Sequence, residues 1–161
     1  MLNKPTLKYM KWKLFLLGLF KIPLVRYIRP RLLHIDDDHI SIQIKLRKRT
    51  KNHLNSMYFG ALSVGADITG GFLALPAIKK SNRKIALIFK DFNANFLKRA
   101  ESDVHFVCED GKAVKKLVEK AIKTQERENF KLKISASCPK ISEDIIAKFE
   151  LTLSLKDYTN R

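Results

Sequence analysis

Hydrophobic positions change period several times along this chain. Ile40, Ile42, Ile44 and Leu46 alternate with Ser41, Gln43, Lys45 and Arg47, the period-2 pattern of a half-buried antiparallel strand. Asp36, Asp37 and Asp38 read as a turn that pairs residues 31–35 with the start of this strand. After a polar loop, residues 49–56, the period becomes helical. From residue 58 to 78, Ala61, Val64, Ile68, Phe72 and Leu75 form an apolar stripe. Pro76 and the Lys79-Lys80-Ser81-Asn82 cluster are expected to end that helix. Residues 84–96 and 103–109 read as two strands, and 111–126 as a second helix with Ala113, Val114, Leu117, Val118, Ala121 and Ile122 on one face. Residues 130–136 and 145–155 alternate again. Strands joined by short connections, with helices set against one face, predict an α+β domain.

The long helix carries a second stripe of small or polar residues: Gly60, Ser63, Asp67, Gly70, Gly71 and Ala74. Small side chains there admit another backbone or a slender ligand. Asp67 is the single carboxylate of an otherwise apolar segment. Placing a carboxylate there raises its pKa, and glycine inside a helix costs about 1 kcal/mol relative to alanine. Local penalties that accumulate in one segment tend to mark a functional site. The alternative for Asp67 is a structural carboxylate bonded to Ser63 or to backbone across a dimer interface.

The loop and helix together resemble the motif of the phenylacetate-type acyl-CoA thioesterases and the related DUF4442 family, which have the hotdog fold. That motif has an Asn, a His-Gly-Gly six residues on, and an acidic residue nine beyond the His. Here Asn52, Tyr58-Phe59-Gly60 and Asp67 take those places, with Tyr for His and Phe for the first Gly. The resemblance spans residues 30–155. It implies an antiparallel sheet wrapped around a long central helix, and a homodimer or dimer of dimers. It also implies hydrolysis of an acyl-CoA-type thioester in an interface cleft, with coenzyme A as part of the substrate and no metal or other cofactor. Asp67 would be base or nucleophile. The backbone N–H groups of Phe59 and Gly60 would polarise the carbonyl, and Asn52 would orient water or substrate. Tyr58, Asn55 and Ser63 would line the substrate, and Lys98 and Arg99 would meet the coenzyme phosphates. The alternative is a non-catalytic hotdog protein that binds acyl-CoA or another acidic ligand.

Length and charge bound these readings. The 161 residues fit one domain, with a basic amphipathic helix over 1–28 preceding a core over 30–157. Lys and Arg outnumber Asp and Glu by 32 to 16, which favours an acidic partner. Nucleic acid is not expected, because no binding fingerprint and no stacking platform is present. The N-terminal segment reads first as a helix packed on its own domain, with contact to a membrane surface as the alternative; its uncharged run, residues 14–20, is too short to span a bilayer. Cys108 and Cys138 lie far apart in strand-like runs. They read as buried free thiols of a cytoplasmic protein, and no metal site is expected from them, the histidines or the three aspartates.

Overall fold

The computed structural model describes residues 6–159. Six strands form one antiparallel sheet: β1 (Arg31–Ile35), β2 (Ile40–Ile44), β3 (Ile85–Phe96), β4 (Val104–Cys108), β5 (Glu128–Cys138) and β6 (Ser142–Asp157). Their order across the sheet is β1-β2-β4-β5-β6-β3, so β1 and β3 are the edges. Two helices pack on its inner face: the 23-residue α3 (Phe59–Ser81) and α4 (Gly111–Thr124). This is the hotdog arrangement the motif implies.

The alternation read from residues 40–47 is visible in β2. Ile40, Ile42 and Ile44 are fully buried, while Ser41 and Gln43 are half-buried on the other side. β2 pairs with both β1 and β4. β5 and β6 supply the other inner positions: Leu132, Ile134, Phe149, Leu151 and Leu153. β3 pairs with β6 along one side only, with a bulge between Phe89 and Phe92. There the Asp91 carboxylate accepts the Thr152 N–H and hydroxyl. Among the described residues the other side of this 12-residue strand has no backbone partner, and the strand exposes Ile88 on one face and Phe92 and Phe96 on the other. Such an edge is a template for a further strand.

Helix α3 is long and apolar enough to span a bilayer by length and composition, yet ten of its residues are buried inside this domain. Its glycines explain the seating. A Cβ on Gly65 would lie 2.3 Å from the Phe106 ring, so the absent side chain lets α3 settle onto β4. At Gly70 and Gly71 the neighbours are Leu132 and Phe89 of the chain's own sheet. The small stripe of α3 is thus partly filled from within the domain rather than left for a ligand.

Pro76 does not end α3. The helix continues to Ser81 and stops at Asn82, whose φ of 54° is left-handed. A proline deletes one N–H and strains one turn; here the turn before it is held by burial of Phe72, Leu73 and Ala74, and after it Ala77 and Ile78 pack half-buried against the core. The N-terminal segment is two helices rather than one: α1 (Leu7–Leu16) and α2 (Pro23–Ile28), joined through a π-helical turn at Leu17–Lys21. Met10, Leu14, Val25 and Ile28 seat them on the core. Cys108 and Cys138 are free and buried, and burial pushes the Cys108 thiol up to about 12.

Gly65→Ala tests the seating of α3. Alanine favours the helix by about 1 kcal/mol. Overpacking a buried ring costs about 1–3 kcal/mol, so a net loss of stability is expected in denaturant unfolding. An unchanged or stabilised protein would mean that Phe106 yields freely.

Candidate active site

The loop before α3 is built mainly by backbone and by two side chains. Thr50, buried, donates its hydroxyl to the Lys45 and Arg47 carbonyls and accepts the Arg47 N–H. Its own carbonyl accepts the Tyr58 N–H at 2.8 Å. The Asn52 side-chain oxygen accepts from the Leu54 and Ser56 N–H groups and from the Ser56 hydroxyl. Asn52 therefore shapes this loop, with its amide hydrogens left as donors. Asn55 takes φ 60° and accepts from Lys51 Nζ at 2.9 Å. Thr50 has no signal in the sequence, because a threonine between Arg49 and Lys51 looks like any loop residue.

At the helix start, Tyr58 has φ −63° and ψ 137° and bonds no orphan N–H with its side chain. Its carbonyl accepts the Ala61 and Leu62 N–H groups, so the N–H groups of Phe59 and Gly60 lie at the helix terminus without a backbone or side-chain acceptor among the described residues. Such donors, with the positive end of the helix dipole, suit a developing oxyanion. The Tyr58 and Phe59 rings are exposed and lie 4.8 Å apart, and Tyr58 covers Gly60.

Asp67 lies seven residues beyond Gly60. One turn further on, the Phe89 ring of β3 takes the space beside Gly70 and Gly71. Asp67 therefore sits on the flank of α3 that faces the open edge strand. It is half-buried and makes no hydrogen bond or ion pair among the described residues, and burial pushes its carboxyl above the ordinary carboxylate range. The Ser63 hydroxyl, its partner in the alternative structural reading, donates instead to the Phe59 carbonyl at 2.9 Å. Rising 1.5 Å per residue, the helix separates Asp67 from the Gly60 N–H by about 10 Å, which exceeds what one reacting carbonyl can bridge.

Lys98 and Arg99 do lie beside this loop, because the neighbouring Ala100 carbonyl accepts the Met57 N–H at 2.8 Å. Each is already paired: Lys98 with Asp144 at 2.7 Å and Arg99 with Glu101 at 2.6 Å. A phosphate would have to compete with a carboxylate at both. His53 is exposed in the loop. Two open grooves, of about 350 and 700 Å³, lie elsewhere. One runs between the C-terminal half of α3 and α4, the other between the N-terminal helices and β1–β2. Asp67 lines neither.

The turn of three aspartates does gather possible metal ligands, though from the flanking histidines. Asp36 Oδ2 lies 2.8 Å from His34 Nε2 and 3.1 Å from His39 Nδ1, and Oδ1 accepts two backbone N–H groups. His34 and those N–H groups hold the Asp36 carboxyl far below its ordinary range. The trio is largely exposed on the β1–β2 hairpin, with Asp36 bordering the groove beside the C-terminal half of α3 and well away from Asp67.

The family described as a domain of unknown function, DUF4442, matches residues 11–154. Among solved structures, a protein of unknown function from Chlorobaculum tepidum superposes with a TM-score of 0.80 at 13% identity, over 95% of this chain and 98% of that one. A thioesterase from Haemophilus influenzae superposes at 0.65 and 16% identity, over 98% and 96%. A thioesterase variant from Pseudomonas aeruginosa does so at 0.68 and 18%, over 97% of each chain. Identities this low establish the shared hotdog fold. No curated protein matches the chain.

The state of Asp67 has a measurable consequence. A carboxyl whose folded pKa is raised contributes stability that is full below its unfolded pKa and lost as pH rises through the folded value. Asp67→Asn, which cannot ionise, should therefore melt higher than the wild type at neutral pH, with the gap closing in acid. A variant that melts lower at neutral pH would mean that the carboxylate has a stabilising partner.

Proposed function

The chain belongs to the DUF4442 family, and from that premise we propose that it hydrolyses an acyl-CoA-type thioester in a cleft between two protomers. The observation that carries this reading is the half-buried Asp67, without a partner among the described residues, on the α3 flank that faces a strand edge those residues leave unpaired. Pairing β3 with its copy would continue the sheet and bring two α3 helices side by side. Antiparallel apposition would set the Phe59 end of one helix against the middle of the other. That arrangement removes the separation of about 10 Å that one helix imposes.

In this cleft the thioester carbonyl oxygen takes the Phe59 and Gly60 N–H groups of one protomer. The partner subunit's Asp67 accepts a proton from water as the oxygen attacks the carbonyl carbon. The tetrahedral oxyanion is held by the two N–H donors and then collapses, breaking the C–S bond. The departing thiolate takes up the proton, leaving a carboxylic acid and free thiol. A carboxyl with a raised pKa is the better base for this step.

A second reading, binding of acyl-CoA without turnover, draws on two departures. The Asn52 oxygen is spent on the loop, and Tyr58 stands where the motif has histidine. Release of free thiol from acyl-CoAs, short to long and aromatic to aliphatic, separates the two readings. Turnover of at least one class is expected, and Asp67→Asn should lower it by about 100-fold or more. Phe59→Pro removes one N–H, and proline suits both the first helical position and the extended Tyr58 before it. It should cost about 100-fold with the fold intact. No turnover, with CoA esters still raising the melting temperature, would establish the binding reading instead.

A further inference from the structure

From Thr6 to Ile35 the chain has seven Lys or Arg residues and no Asp or Glu. The segment forms α1, the π-helical turn, α2 and strand β1, and its helical part has apolar residues both buried and exposed. Met10, Leu14, Val25 and Ile28 are buried against the domain. Trp12, Phe15, Phe20, Ile22, Leu24 and Tyr27 are exposed, Phe20 by 71%, although Arg49 of the loop before α3 lies over the Tyr27 ring and Phe15 borders the groove against β1 and β2. The Trp12 and Phe15 rings stack 5.4 Å apart, and Phe20, Ile22 and Leu24 crowd the bend between the helices. The platform is fastened: Lys79, near the end of α3, donates to the Tyr9 hydroxyl at 2.8 Å and lies over its ring. Behind it, the groove of about 700 Å³ is lined by Lys11, Arg26, Arg31, Lys45 and Arg47 with no carboxylate. None of these five forms an ion pair among the described residues.

We propose that this face docks on an anionic phospholipid bilayer, the apolar bend entering the headgroup boundary and the cations meeting lipid phosphates. Exposed aromatic and aliphatic side chains interleaved with Lys and Arg are what an interfacial helix needs. The absence of acidic residues selects the occupant. A second copy seated on the same face would bring seven cations against seven, in a chain of net charge +16. A single-stranded nucleic acid would take the charges and the aromatic rings, but it leaves Ile22 and Leu24 without a role. The surface is distinct from Asp67 and from β3, so docking does not require that the protein be a hydrolase.

The chain's only tryptophan, Trp12, lies within this face and reports on it. The full-length protein is mixed with vesicles of phosphatidylcholine alone, or of phosphatidylcholine and phosphatidylglycerol in equal parts. With the anionic vesicles, co-sedimentation and a shift of Trp12 emission to shorter wavelength are expected, both reversed by added salt. Arg26→Gln and Arg31→Gln should each weaken partitioning about fivefold. Phe20→Ser with Leu24→Ser should abolish it without loss of helical signal, since both residues are exposed. No sedimentation with anionic vesicles, or equal binding to neutral ones, would overturn the proposal. So would an emission shift produced by protein concentration alone or only by single-stranded RNA; these would assign the face to a second copy or to nucleic acid.

Discussion

The contact between Gly65 and Phe106 sets the depth at which α3 sits in the curve of the sheet. With no side chain at Gly65, the ring on β4 meets the helix directly, and the two elements that carry the core approach closely. Once α3 is seated there, the rest is fixed by helical geometry. Ala61, Ala66, Ile68 and Phe72 turn inward, and Asp67 is left on the flank toward β3. The same seating places the helix start against the Thr50 loop and the Ala100 carbonyl, so that its terminal N–H groups face outward. A carboxylate and an oxyanion cradle are both available, on one rigid rod and too far apart to act on one atom.

That separation gives the open edge strand its meaning. An unpaired 12-residue edge bearing exposed Ile88, Phe92 and Phe96 is a liability for a monomer. Phe92 and Phe96 both lie about 6 Å from Phe149, a core residue, so the exposed aromatics are continuous with the packed interior. Pairing with a second copy would cover that face and supply the missing half of the site in one step. The N-terminal platform is of another kind. Its charges repel a copy of itself, and its apolar tip is exposed among the described residues.

Most of the fold was legible because its signals are periodic. Burial on alternate positions of β2 follows the hydrophobic spacing residue by residue, and on α4 it does so at Val114, Leu117, Val118 and Ala121, with Ala113 and Ile122 half-buried at the rim. Pro76 misled because a stop signal is local, while the turns around it are held by distant partners on the sheet. Small residues on α3 were ambiguous for the same reason: only the structure shows that Phe89, Phe106 and Leu132 fill the spaces they leave. At the site, the spacing from Asn52 to Asp67 located the loop, the helix start and the carboxylate. It could not show that the Asn52 oxygen is spent on its own loop, that Lys98 and Arg99 face carboxylates, or that His34 and His39 meet at Asp36.

In the proposed cleft each reacting centre would draw its carboxylate and its oxyanion donors from different protomers. Co-expression of differently tagged Asp67→Asn and Phe59→Pro chains, followed by isolation of the mixed dimer, tests it directly. Each variant alone should be nearly inactive in thiol release. The mixed dimer contains one centre with both wild-type halves and one with neither, and should recover about half of wild-type turnover. A mixed dimer as inactive as its parents would place both groups in one protomer and contradict the account.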